Sequence, residues 1–121
     1  MPDGVDNDLW GSLTPAVQSQ YSGKRERYAL ARDYLMQPGA LPRLQAALAP
    51  YLRAPSVIAD CLARAGAARC IGDIGCSRER LSAAVLHMHQ MRTRFTVVDL
   101  AWVAGILPDA ADELIDAWLT G

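Results

Sequence analysis

The sequence predicts an all-α fold, a compact bundle or array of about six short helices, and three observations lead to it. Apolar residues recur at the i, i+3, i+4, i+7 spacing of one helix face along most of the chain. Proline and glycine punctuate it at intervals that fit helices of about ten to fifteen residues joined by short turns. No segment alternates with period two between turns; Phe95-Thr96-Val97-Val98 comes nearest, and its flanking caps argue for helix.

Residues 1–14 are polar and glycine-containing, with Leu9, Trp10 and Leu13 as anchors, and read as an N-terminal arm that is mobile or docks. Residues 15–121 read as a single helical domain. Thr14-Pro15 gives an N-cap and a proline suited to a first helical turn, and Ser22-Gly23 stops that helix. The next begins near Lys24, with Tyr28, Ala31, Tyr34 and Leu35 on one face and Lys24, Arg25, Arg27 and Arg32 largely elsewhere; Gln37-Pro38-Gly39 ends it. Pro42 fits the first turn of a helix carrying Leu44, Ala47, Leu48 and Tyr51. Pro50 lacks a backbone donor and clashes with the carbonyl four residues back, so that helix kinks or ends early. Pro55 starts another, with Val57, Ile58, Cys61, Leu62 and Ala65 inward and Gly66 as its cap. In the link from Ala67 to Cys76, which holds Gly72 and Gly75, Ile71 and Ile74 peg the loop to the core.

The most informative stretch is Ser77 to Leu107, two helices and a sharp joint. Ser77 caps a helix whose stripe is Leu81, Ala84, Val85 and Met88 and which runs to about Met91 or Arg92. Beyond Thr93-Arg94-Phe95, Thr96 stands three residues before Asp99 in a capping-box spacing, so a second helix begins at Val97 and ends near Gly105. Leu107-Pro108 opens the last helix, with Leu107, Ala111, Leu114, Ile115 and Trp118 inward.

With 121 residues, 51% of them hydrophobic, one domain can bury roughly two-thirds of its unfolded surface. Twelve basic and thirteen acidic side chains leave a net charge of -1, which favours neither nucleic acid nor an anionic membrane as partner. Asp3, Asp6 and Asp8 stand where a signal peptide has basic residues, and no run approaches the ~18 apolar residues of a membrane span, so a cytoplasmic location is expected. Cys61, Cys70 and Cys76 are odd in number and lack paired spacing, which suits reduced thiols.

His87 and His89 point about 200° apart on a helix and cannot clasp one metal, and the cysteine intervals form no knuckle, so no metal site is expected. Asp109, Asp112, Glu113 and Asp116 read as a solvated acidic face. No glycine cluster has the lysine of a phosphate loop, so this chain alone is expected to bind no cofactor. Arg92 and Arg94, at the joint beside Phe95, are placed to hold a phosphate or the carbonyls of a helix end. His87 and Asp99 join them as candidate ligand or pocket groups, while no catalytic residue is assigned. Trp102 and Trp118 suit the core; Trp10, on the polar arm, suits an interface.

Ser77-Arg78-Glu79-Arg80-Leu81, the Ala-rich helix bearing His87, Arg92-x-Arg94-Phe95-Thr96-Val97-x-Asp99-Leu100 and Gly105-x-Leu107 together resemble the C-terminal end of bacterial glycerol-1-phosphate dehydrogenases. Those enzymes belong to the superfamily of iron-containing alcohol dehydrogenases and dehydroquinate synthases. The resemblance extends upstream through Leu52 to Gly66 and toward Gln20-Tyr21. Such enzymes carry a nucleotide-binding half with a Gly-rich loop, and metal-binding Asp and His residues, neither of which is found in this sequence. The resemblance therefore implies a helical module that docks on a separate dehydrogenase-like chain and is not an oxidoreductase alone. Two other readings follow: a free-standing helical binding protein that holds a partner or self-associates, and a small pocket enzyme of a bacterial specialised pathway using Arg92, His87, Asp99 or a tyrosine.

Overall fold

The computed structural model describes residues 4–120, so the Asp3 named above lies outside the described residues. It is an all-α array, with no strand among the described residues. In chain order the helices are α1 (Asn7–Trp10), α2 (Thr14–Ser22), α3 (Arg25–Leu35), α4 (Ala40–Leu48), α5 (Pro55–Arg64), α6 (Arg78–His87), α7 (Val97–Val103) and α8 (Ala111–Trp118). Short 3-10 turns at Gly11–Leu13, Ala49–Tyr51, Ile71–Ile74 and Met88–Met91 link or extend them.

The local signals act at the expected places. The Ser77 hydroxyl accepts from the Arg80 amide at 3.3 Å and starts α6. At α7 the Thr96 side chain accepts from the Asp99 amide at 3.4 Å, while an Asp99 carboxylate oxygen accepts from the Thr96 amide at 2.6 Å. Pro50 converts the end of α4 into a 3-10 turn, as a missing donor requires. Gly39 and Gly105, at φ 70° and 72°, take the left-handed conformation that carries the chain out of α3 and out of α7.

Around residues 7–13 the arm is more ordered than its composition suggests. Asp6 caps α1 by accepting from the Asp8 and Leu9 amides at 2.9 and 3.0 Å, and the 3-10 turn then runs directly into α2. Thr14 is therefore the first residue of α2 and not its cap, and its hydroxyl has no hydrogen-bond partner.

The core is small. Val17 and Tyr21 of α2, Ala40 of α4, Leu107, and Ala111 and Ile115 of α8 are its buried apolar residues. The α2 helix lies against the 88–91 turn, α3 against α7, and α6 against α8. Arg78 ties the last pair from the surface, donating to Asp112 at 3.1 Å and also to Asp116, so two members of the expected acidic face are bridged. Leu114 and Trp118, expected inward, are instead 43% and 51% exposed. A helix of eight residues resting chiefly on α6 can bury one stripe, and Ala111 and Ile115, four apart, occupy it.

The largest departure concerns α5. Val57, Ile58, Cys61, Leu62 and Ala65, expected inward, are all exposed, and Ala59 is the one residue of α5 that is even half-buried. On a helix of 3.6 residues per turn, Ala59 stands about 130° from the centre of that apolar stripe. Thus α5 turns its small-residue side to the body and its hydrophobic side to solvent. It makes no extended contact with any other helix, and α4 is anchored chiefly through α3.

Candidate functional site

Two features stand apart from ordinary packing: a closed cluster of polar groups at the centre of the body, and the uncovered α4–α5 face. The cluster forms where the α2–α3 joint meets the start of α7. Gly23 permits that meeting, since a Cβ there would come within 3.2 Å of the Thr93 side chain. The next residue, Lys24, then points inward and is fully buried, contrary to its expected place away from the apolar face.

The Lys24 ammonium donates to both oxygens of Asp99, at 2.9 and 3.1 Å, and to the His89 carbonyl. Asp99 is also fully buried. Besides the lysine it accepts from the Tyr28 hydroxyl, from the Thr96 amide at 2.6 Å and from the Thr96 hydroxyl at 2.7 Å. Burial pushes the Asp99 carboxyl up, but the hydrogen bonds from Tyr28, Lys24 and Thr96 outweigh it and hold the group below the usual carboxylate range. Burial, and then the bond to Asp99, push the Tyr28 phenol well above its ordinary value. Every donor and acceptor of the pair is thus engaged, and neither Lys24 nor Asp99 is exposed to a substrate. The cluster ties α3 to α7 through charged and polar groups bonded to one another.

His89 lies beside it, 2% exposed, its ring edge-on to Tyr21 with centroids 5.7 Å apart and tilted against Trp102 at 5.5 Å. Neither ring nitrogen has a hydrogen-bond partner. Burial lowers its pKa to about 4; the Asp99 charge opposes that shift and the Lys24 charge adds to it. The neighbouring Gln90 is buried as well and accepts from the Trp10 indole at 2.7 Å, fastening α1 to the 88–91 turn.

Of the five residues singled out in the sequence, one belongs to the cluster: Asp99, as a fully engaged acceptor. His87 is half-buried with its Nδ1 lacking a hydrogen-bond partner, and does not reach Asp99. Arg92 and Arg94 are exposed and make no hydrogen bond or ion pair among the described residues; the carbonyl at their joint, that of Thr93, accepts instead from Arg27 at 3.1 Å. Trp10, chosen for an interface, makes its polar contact within the chain. Trp102 is half-buried and donates to the Leu86 carbonyl at 3.3 Å. Lys24, Tyr28 and His89 were missed as a group. One signal marked the first, its composition: Lys24 is the single lysine among twelve basic residues.

The three thiols are free, Cys61 exposed and Cys70 and Cys76 half-buried, and no group of three potential metal ligands converges among the described residues. No helix there is long and apolar enough to cross a membrane.

The second feature is a surface. The α4–α5 segment leaves Leu41, Leu48, Tyr51, Leu52, Val57, Ile58 and Leu62 between 37% and 82% exposed. The chain's total accessible area is 8417 Å², whereas a compact monomer of its 13.1 kDa has about 6,400 Å² by the usual mass scaling. The excess of roughly 2,000 Å² is spread over the chain, since Leu30, Met36, Ile74 and Val97, outside this segment, are 64–77% exposed as well.

No family model, curated protein sequence or solved structure matches this chain.

Proposed function

We propose that the chain is a helical docking module, without catalytic activity of its own, that covers its α4–α5 face against a separate chain. The outward-turned stripe of α5 carries this reading. Val57, Ile58 and Leu62 keep the spacing of a core-facing stripe, yet they stand 38–51% exposed, and no other helix among the described residues packs extensively on α5. A stripe of this kind is stabilised only when another surface removes it from water, at about 25 cal/mol per Å² of apolar area. The polar cluster supports the same reading from the other side. Its groups are spent on one another, which suits a rigid base for a docking surface better than a pocket enzyme.

The partner implied by the resemblance of residues 77–107 is a nucleotide-binding, dehydrogenase-like chain whose cleft the module would complete. The test is to purify the tagged chain from lysate of its source organism and assay the eluate for NAD(P)H-dependent reduction of dihydroxyacetone phosphate. A stoichiometric partner bringing that activity, and lost with an Ile58→Glu variant, is the expected result. Recovery of the chain alone and inactive would overturn the dehydrogenase partner.

A further inference from the structure

The 88–91 turn buries two polar side chains next to each other, and their surroundings differ. Gln90 accepts the Trp10 indole N–H at 2.7 Å. His89 packs against the rings of Tyr21 and Trp102, and neither of its nitrogens has a hydrogen-bond partner. A neutral imidazole so placed leaves one donor and one acceptor unused; an imidazolium would leave two donors and a charge. The titratable groups around it are Tyr21 on α2, Lys24 at the α2–α3 joint, His87 on α6 and Asp99 on α7, with Tyr28 of α3 behind Asp99. Asp99 is the one carboxylate among them, and it already accepts from Lys24, Tyr28 and Thr96. Charging the ring thus sets two buried cations against one anion. Burial, Lys24 and His87 oppose that charge; Asp99 favours it, as does the Leu86 carbonyl, which already accepts from Trp102 at 3.3 Å.

The ring can reach water only if the 88–91 turn moves, and that turn also holds Gln90. The α1 helix has no buried residue of its own, and its side-chain bond to the turn is the one from Trp10 to Gln90. We infer that His89 is an acid-released latch: a proton on its ring expels the ring from the body, carries the 88–91 turn outward and unfastens α1 at Trp10. The α6–α8 pair stays closed, because it rests on other contacts, from Arg78 to Asp112 and Asp116 and at Ala111 and Ile115. In the closed state the ring takes a proton only near pH 4, whereas in water it does so near ~6.5. The closed state is therefore favoured above the higher value and loses its advantage as pH falls toward the lower one. Between pH 7 and pH 5 the equilibrium constant for opening rises roughly twentyfold.

The test is native-state hydrogen exchange of the full chain at pH 7 and pH 5, in rising urea below the unfolding transition, with rates corrected for the intrinsic effect of pH. Solvent exchange of the Trp10 indole N–H is followed alongside by NMR, its signal assigned by its loss in Trp10→Phe. The opening constant of residues 7–10 and 88–91, and of the Trp10 indole, is expected to rise about twentyfold at pH 5. That rise should depend little on urea, as a local opening does, and residues 78–87 and 111–118 should not share it. His89→Leu should abolish the pH effect and His87→Gln should leave it. A rise that is steeply urea-dependent and common to all helices would mean that His89 acts only on global unfolding, and would overturn the latch. No rise at pH 5 in the parent chain would overturn it without recourse to any variant. A rise that survives His89→Leu and disappears in His87→Gln would overturn it by assigning the proton to the other histidine.

Discussion

Replacing Asp99 with asparagine keeps the shape of the side chain and removes the one charge that balances Lys24. The ammonium would remain fully buried beside the His89 carbonyl and an amide oxygen, with no carboxylate to repay its desolvation. Breaking one side of a buried pair in this way costs about 3–5 kcal/mol. In a chain of this size each kcal/mol lowers the melting temperature by roughly 3–5 °C, so Asp99→Asn should melt ~10–20 °C below the parent. Lys24→Met should cost less, because Tyr28 and both Thr96 donors still hold the carboxylate. The double variant Lys24→Met/Asp99→Asn removes both charges and should be less destabilised than the sum of these two single changes by at least ~1 kcal/mol. Urea unfolding at pH 7, followed by tryptophan fluorescence and circular dichroism, gives all the terms. A loss below about 1 kcal/mol for Asp99→Asn, or strict additivity in the double variant, would refute the role of the pair as a lock between α3 and α7.

Four further outcomes follow from the same geometry. His89 is held neutral with a pKa of about 4, against ~6.5 when unfolded, so the unfolded chain binds an extra proton in that window. Stability should therefore fall by roughly 3 kcal/mol as pH drops from 7 to 4, and His89→Leu should flatten that slope in urea titrations repeated across the range. Tyr28, raised by burial and by Asp99, should stay protonated beyond the ordinary tyrosine range; of the four tyrosines, one should ionise only as the protein unfolds, read as phenolate absorbance in a spectrophotometric titration. Trp10→Phe strands the buried Gln90 oxygen and should cost about 1–3 kcal/mol in the same urea assay, with faster amide exchange across α1. Ile115→Ala, at a fully buried position of α8, should cost about 2–5 kcal/mol, whereas Trp118→Ala, on the exposed side, should cost far less.

The sequence made the helices legible because their start and stop signals act locally. Ser77, the Thr96–Asp99 box, Pro50 and Pro55 each satisfy or deny a backbone group within four residues, and no distant contact is needed to read them. What periodicity leaves open is which body covers a stripe, or whether anything does. The stripes of α5 and α8 have helical spacing, yet α5 rests on Ala59 and α8 on Ala111 and Ile115. The polar cluster was hidden for a related reason. Asp99 reads as a cap, which it is, but its bonds to Lys24 and Tyr28 join residues 75 and 71 positions away and depend on the close approach of Gly23 to Thr93. Arg92 and Arg94 attracted notice by their place at a joint, and the joint turned them to solvent while Arg27 took the carbonyl there.

Native-state hydrogen exchange of the free chain tests the central claim most directly, because a helix without a packed face should open at almost no cost while the locked body stays closed. The account predicts amides of residues 55–64 with protection near that of an isolated helix, alongside slow exchange across residues 97–103. Protection of 55–64 equal to that of 97–103 in the free chain would mean that α5 is already covered, and would contradict a docking face there.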